Sequence, residues 1–503
     1  IVDGIPRDIN DINPNDIATL SVLKDASAAA VYGLDASGGA VIITTKSGEK
    51  GKSKLTYDGS FGISRNANYP EFLDGPSYAY YYNKGLEMDG RDPIFTEEHI
   101  KKMIAGEDGW GNTNWMDEVF GTGRNQKHNL SLSGGSDKSK YFASLAYMDQ
   151  QGNVDKFSYK RYNIRLNLDT EISQGLKVNI GMSGIRGDRK SPAFSAGGGE
   201  GTGYEEAAEW MSIARQAAQM HPYLPIYAEN GMYTASPNDL QQASSPLAAI
   251  ENSGLHKQNS MLIQTNLTLT WEVPWIKGLT AKISGYYDYS NATSKQLNTP
   301  YTVMLASAPD SSRPGLSYSE KIDPRAKTTI TLLEGHNRTN KLTAQTSLGY
   351  VTQINKTHNI DVLGVMEIQD MKNNSFSAHV QDIDFPELPE LSNGIPLETG
   401  NPIVGTSRVA RSVGFVYRMR YDYNNRYLAE VSGRYDGSHK FAGNVSGKRW
   451  GFFPAASLGW RMSEEGFIKD NFNFIDNLKL RAAIGLLGNT YGVNNETFAF
   501  LST

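Results

Sequence analysis

Two polar stretches carry the aromatic side chains best suited to hold a ligand. Residues 66–123 contain Trp110, Trp115 and the run Tyr80, Tyr81 and Tyr82; residues 191–255 contain Tyr204, Trp210, Tyr223 and Tyr227. Aromatic faces stack on sugar rings, and nearby amides and carboxylates can fix the hydroxyls. Trp110, Trp115, Tyr204, Trp210, Tyr223 and Tyr227 are therefore the candidate ligand contacts. A plainer reading stands beside this one. The stretch "GPSYAYYYNKGLEMDG" also spells an amphipathic helix whose tyrosines pack on the structure beneath.

Reactive chemistry is not encoded in any recognisable spacing. The eight histidines are scattered and form neither HExxH nor a paired metal spacing. No GxSxG elbow is present. "GGGEGTG" (197–203) lacks the Lys-Ser/Thr of a phosphate loop and reads as a spacer. There are no cysteines, hence no disulfide, thiolate metal site or thiol nucleophile. A net charge of −5 gives no basic footprint for nucleic acid. We expect no enzyme, no cofactor and no metal.

The elements that must position these rings are strands. Tyr162, Ile164, Leu166 and Leu168 alternate with Arg161, Asn163, Arg165, Asn167 and Asp169; Leu176, Val178, Ile180 and Met182 alternate with Lys177, Asn179 and Ser183. Leu267 and Leu269 alternate with Asn266 and Thr268, and Phe415, Tyr417 and Met419 with Arg418 and Arg420. No run of ~18 apolar residues is available for a membrane helix. Alternation fits a soluble sandwich or an outer-membrane barrel. These runs reach ten residues or more, the length a tilted strand needs to cross a bilayer, so the barrel is favoured. Rings near strand ends (Tyr141, Tyr147, Trp271, Trp275, Tyr421, Tyr423, Trp460) fit an interfacial girdle.

Turn lengths point the same way. Residues 173–175, 273–278, 355–358 and 423–426 are tight, whereas 66–123, 191–255 and 382–407 are long. Short periplasmic turns and long outer loops are a barrel pattern. Alternation is kept if 326–354 is one long strand, giving roughly thirteen strands with the last near 477–489. Because bacterial barrels close on even numbers, the wall is expected to be incomplete here.

The first 48 residues read differently. Residues 17–23 suggest a strand, Asp25 an N-cap, and Ala26 to Tyr32 (with Ala28, Ala29 and Ala30) a short helix closed by Gly33. "DASGG", ending in Gly38 and Gly39, is a turn before the strand Ala40 to Thr45. Taken alone, this is a small α/β unit of the kind any soluble domain could contain.

The sequence resembles the SusC-like TonB-dependent transporters of Gram-negative outer membranes. "VDGIP…DINPNDIATLSVLKDASAAAVYG" with "GGAVIITTKSG" is similar to the second half of that family's plug domain. "YNNRYLAEVSGRYDGSHKF", "GFFPAASLGWRMSEEGF" and "NLKLRAAIGLLGN" are similar to its barrel blocks. The resemblance implies a mainly β fold: the C-terminal half of a small α/β plug domain at 1–48, then roughly 13 of about 22 strands of an antiparallel transmembrane β-barrel at 49–503. The chain, opening on "IVDGIP", is expected to be an internal piece of a longer protein. The small residues Ala28, Ala29, Ala30, Gly33, Gly38 and Gly39 would keep the plug thin enough to sit inside a wall of strands.

By the same resemblance, the function is energy-coupled import of an oligosaccharide or a peptide across the outer membrane. The expected partners are a SusD-like surface lipoprotein, TonB (whose contact box is not recognised in this sequence) and outer-membrane lipid. A signalling or adhesin-type receptor that binds ligand without moving it is the alternative.

Overall fold

Every alternating run becomes a strand in the computed structural model. The structure describes residues 1–23, 39–68, 70–193, 205–237, 244–307, 309, 315–324, 326–397, 400–440, 449–472, 474–486 and 488, and the side chains of all of these except 205–210.

β1 (Ile17–Leu23) and β2 (Ala40–Thr45) pair antiparallel as a sheet of their own. The wall begins at β3 (Gly51–Ser64) and continues through β4 (Gly123–Gly135), β5 (Ser139–Gln151), β6 (Ser158–Ser173) and β7 (Leu176–Pro192). β8 (Thr234–Ala235) lies apart, and β9 (Gly254–Glu272) and β10 (Leu279–Asn298) resume the wall. β11 (Thr302–Ser307) and β12 (Ser317–Ile322) join β8 in a three-stranded sheet. The wall then runs through β13 (Thr331–Ile354), β14 (His358–Gln381), the two-residue β15 (Ile395–Pro396), β16 (Ile403–Tyr423), β17 (Tyr427–Ser438), β18 (Trp450–Arg461) and β19 (Lys479–Gly485). In this fourteen-stranded sheet β15 pairs β14 off the main path, and the other thirteen follow one another from β3 to β19. All wall ladders are antiparallel, and among the described residues β3 and β19 are the edges.

Two expectations hold in detail. The long strand expected over 326–354 is β13, starting at Thr331, and the last expected strand is β19. Apart from 152–157 and 462–478, tight connections lie on one edge of the sheet and long ones on the other. At Asn355–Lys356 and Asn424–Asn425 both central residues have φ between 51° and 62°, the mark of a type I′ turn that suits strand twist. Asparagine tolerates that left-handed region better than most residues.

The long connections are not bare loops. Residues 66–123 contain α1 (Gly75–Met88), α2 (Glu97–Ala105) and α3 (Trp115–Val119), and 191–255 contains α4 (Glu205–Gln219) and α5 (Pro246–Asn252). A further connection, 299–330, joins them; its β11 and β12 pack with these helices. One apolar cluster joins all three, including Phe95, Met103, Ile213, Leu224, Ala249 and Val303.

Across the wall, the usual order of inside and outside is inverted. One face buries polar side chains, among them Asn129, Ser144, Arg165, Gln264, Thr268 and Glu367. The other exposes Leu145, Ile164, Leu166, Leu168, Ile180, Leu267 and Leu269. Val178 belongs to that outer face, opposite Thr170 and Leu269 in register, but its neighbours cover it. A continuous exposed apolar band is untenable in water and suited to hydrocarbon.

Candidate functional site

The N-terminal residues lie against the polar face of the wall, and hydrogen bonds and ion pairs join the two. The unit has a small core of Val2, Ile12 and Ile43, with Ile17 packed beside it. "VDGI" forms a tight turn: Asp3 and Gly4 have φ of 48° and 99°, and Ile5 N–H donates to the Val2 carbonyl at 3.2 Å. The turn aims the Asp3 carboxylate at β2, where it accepts from Thr45 N–H and Thr45 Oγ1, both at 2.9 Å. A second turn over Pro14–Asp16, capped by Asn13, presents the Asp16 carboxylate to the wall.

Arg165 on β6 meets both carboxylates. Its Nε donates to Asp16 Oδ2 at 3.3 Å, and its guanidinium lies 3.9 Å from Asp3 Oδ2. Ser144 on β5 donates to Asp16 Oδ1 at 2.7 Å. Asp16 and Arg165 are 3% and 6% exposed, so each depends on the other for solvation. Burial pushes the Asp16 carboxyl above its ordinary value, while the bonds from Ser144 and Arg165 pull the other way. A second pair has the opposite polarity. Arg7 of the unit donates to Asp288 on β10 through Nε at 3.1 Å and through its terminal nitrogen at 2.6 Å, beside the Tyr286 ring. Asn13 donates to Asn129, Arg161 to the Asn10 carbonyl, Asn167 to the Lys46 carbonyl and Lys341 to the Pro6 carbonyl. These partners stand more than a hundred residues apart, which is why sequence spacing could not pair them. The one legible signal was a charged residue on the polar face of an alternating strand.

On the same face, nearer the long connections, a cavity of about 880 Å³ opens between β6 and β14. Tyr159, Arg189, Gln258, Ser260, Asn337 and Ser375 are among its lining residues. Two glycines keep it open: a Cβ at Gly187 would meet Ser260 Oγ at 2.8 Å, and one at Gly335 would meet Ser294 Oγ at 2.7 Å. The lining combines hydroxyls and amides with Arg189, His336 and the rings of Phe157 and Phe376, groups that bind polar ligands by exchange of hydrogen bonds rather than by reaction. Among the described residues, no group of three His, Asp or Glu is placed to hold a metal.

The sequence-derived contacts fall elsewhere. Trp110, Trp115 and Tyr223 are each no more than 3% exposed and sit in the core shared by the long connections. Trp110 stacks on His99 at 4.9 Å, Trp115 Nε1 donates to the His221 carbonyl at 3.1 Å, and Tyr223 packs on Phe95 at 5.5 Å. Their faces are occupied by protein, so the packing reading describes these three. Tyr227 is exposed, with its ring 4.9 Å from that of Tyr233. Tyr80, Tyr81 and Tyr82, the run assigned to packing, are exposed as well, around the buried Ala79 of α1. Trp210 lies on α4, but its side chain is outside the described residues, as are Tyr204, Asp25, Ala28, Ala29, Ala30, Gly33 and Gly38. Gly39 is described. Its φ is 101° and a Cβ there would meet the Leu23 carbonyl oxygen at 2.7 Å, so the close approach of β1 and β2 requires glycine.

Comparison with known proteins agrees with this architecture. The family model for TonB dependent receptor-like β-barrels matches residues 222–496. A TonB-dependent receptor of Formosa agariphila is 28% identical over 493 residues, covering 97% of this chain and 44% of that protein. The TonB-dependent receptor SusC of Bacteroides thetaiotaomicron is 28% identical over 528 residues, covering 98% of this chain and 46% of that protein. The chain thus spans about half the length of the curated relatives it matches. Among solved structures, the RagAB peptide transporter superposes with a TM-score of 0.77 at 23% identity, over 97% of this chain and 54% of that one.

Proposed function

Because this chain belongs to the TonB-dependent receptor-like β-barrel family, we propose that it supplies the plug's C-terminal part and the first part of the wall of an outer-membrane importer. In this reading residues 1–48 are plug and 49–503 are wall. The cargo is an oligosaccharide or a peptide, and a SusD-like surface lipoprotein covers the entrance formed by the long connections. TonB, pulling from the periplasmic side, frees the plug. The family is one of receptors, not of enzymes.

The observation that carries this reading is the polar seam between the N-terminal unit and the wall. An apolar seam would resist separation in proportion to its area. Hydrogen bonds exchange with water at a net cost of only ~0.5–1.5 kcal/mol each. A seam of Asp16–Arg165, Arg7–Asp288 and single hydrogen bonds is firm at rest and separable under force. The cavity above it, with serines, amides, Tyr159 and Arg189 in its lining, suits hydroxyl-rich or amide-rich cargo. The RagAB protein that superposes on this chain is a peptide transporter, the second of these two cargo classes.

The test is uptake of labelled oligosaccharides and peptides by cells expressing the full-length protein, with and without TonB and the lipoprotein. Uptake that needs both supports the proposal. Surface binding without TonB-dependent accumulation would replace it with a receptor that signals or adheres.

A further inference from the structure

We propose that the outward face of β6, β7 and β9 holds one phosphorylated, acylated lipid of the outward leaflet, its chain in a groove at Gly184 and its phosphate on Lys190 and Lys257. This rests on the outer-membrane reading above.

The first observation is a clash of like charges. Lys190 on β7 stands directly opposite Lys257 on β9, and Lys257 directly opposite Lys295 on β10. Residues opposite in a ladder share a face, and like charges so placed destabilise the pairing. Lys295 is neutralised by Glu334 at 2.8 Å and Glu390 at 3.2 Å. Lys190 and Lys257 are both exposed and have no ion pair among the described residues. An anion between them would turn the repulsion into a binding site. By strand alternation both point to the side of Met182 and Leu267, the apolar outer side.

The second observation is the groove below them. A cleft of about 550 Å³ runs over that outer face, lined by Leu145, Tyr162, Ile164, Met182, Met261 and Ile263. Gly184 makes its floor. Its ladder partners are Ile164 and Ile263, and a Cβ there would meet Ile164 Cγ2 at 2.9 Å. Arg186 lies at the groove's upper end, and Lys190 is four residues further along the strand, ~13 Å at strand rise. That spacing fits a sugar-phosphate headgroup above an acyl chain. The opposite edge of the same face carries Trp271, Tyr350, Tyr421, Tyr423, Tyr427 and Trp460, rings suited to an interface without a dedicated anion site. An acidic protein partner could also meet two lysines, but it would have no use for an apolar groove continuous with the membrane-facing band.

The experiment uses the full-length protein, first fractionated to the outer membrane, then extracted and titrated by native mass spectrometry. The probes are lipid A bearing its phosphates and the same lipid dephosphorylated. The phosphorylated form should bind at least tenfold more tightly. A cation near an anionic surface is worth roughly a fivefold gain, so the K190Q/K257Q double variant should lose about 30-fold for the phosphorylated form only. Gly184→Leu should weaken both forms alike. Heat-shifted migration of the barrel on gels confirms that each variant is folded. Equal binding of the two lipids, or unchanged lipid binding by K190Q/K257Q with loss of an acidic protein instead, overturns the proposal. Absence of the protein from the outer membrane would overturn the reading beneath it, a separate result.

Discussion

Replacing Arg165 with methionine should unseat the N-terminal unit, and by an amount that depends on pH. The guanidinium is the one cation within ion-pair distance of Asp16 among the described residues, 3.3 Å away, and Asp16 is 3% exposed. Breaking such a buried pair from one side typically costs ~3–5 kcal/mol. Protonation sets a ceiling. A carboxyl with an ordinary value of 3.8 escapes ionisation at pH 7 for ~4 kcal/mol, at 1.36 kcal/mol per unit. The bond from Ser144 at 2.7 Å survives and lowers the cost further, so we expect ~3 kcal/mol at pH 7. The sign follows from the direction of the shift. Burial raises the folded-state value of Asp16, so the stability of the seated form is greatest at low pH and is lost as pH rises through that raised value. At pH 5 the ceiling falls below ~2 kcal/mol. The assay is native-state proteolysis of the N-terminal unit in full-length protein. Cleavage should rise on the order of a hundredfold at pH 7 and roughly tenfold or less at pH 5. Adding Asp16→Asn removes the orphaned charge and keeps the Ser144 bond, so the double variant should recover most of the loss. Equal cleavage of wild type and Arg165→Met at both pH values, or no rescue by Asp16→Asn, refutes the argument.

Other outcomes follow from the same geometry. Leu168→Arg places a charge on the exposed apolar band and should cost ~2–4 kcal/mol in a vesicle folding titration, whereas Thr56→Arg on the polar face should be mild. Trp115→Ala empties a site in the core of the long connections and should cost ~3–5 kcal/mol, read as faster proteolysis there with the wall intact; Tyr227→Ala should stay within ~0.5 kcal/mol. Burial, and then Lys102, hold the His99 imidazole below its usual range. A lowered histidine value means that stability is present above pH 6.5 and lost as pH falls below it. The hydrogen-exchange protection of α1 and α2, taken relative to the intrinsic amide rate at each pH, should therefore fall from pH 7.5 to pH 5, and His99→Gln should flatten that response.

The wall was legible because a strand with one apolar face writes its period into the sequence. Tyr162 to Leu168 and Leu176 to Met182 needed no partner to be read, and β13 followed from the alternation of short and long connections. The seam was not legible. Asp16 and Arg165 are 149 positions apart, and no local pattern tells a charge that meets water from one that meets another chain segment. The aromatic candidates show the opposite fault. Trp110, Trp115 and Tyr223 look like a sugar platform because stacking rings are the same whether the partner is a ligand or Phe95 and His99. Only the closing of three long connections on one another, including 299–330, decides between the two.

The central claim is that the N-terminal unit must leave its seat for cargo to pass. These 503 residues contain no cysteine, so an engineered pair has no competing thiol among them. Asn13 of the unit and Asn129 of β4 are hydrogen-bonded at 2.8 Å. An end-to-end bond between two amides holds their Cβ atoms farther apart than the ~4.5 Å a direct disulfide tolerates, so Asn13→Cys and Asn129→Cys, in the full-length protein, are bridged with a short bis-methanethiosulfonate reagent whose two disulfides are cleaved by reductant. Uptake of labelled oligosaccharide or peptide should stop once the bridge is formed and return on reduction, with each single variant unaffected. Full uptake while the cross-link is demonstrably formed would contradict the account.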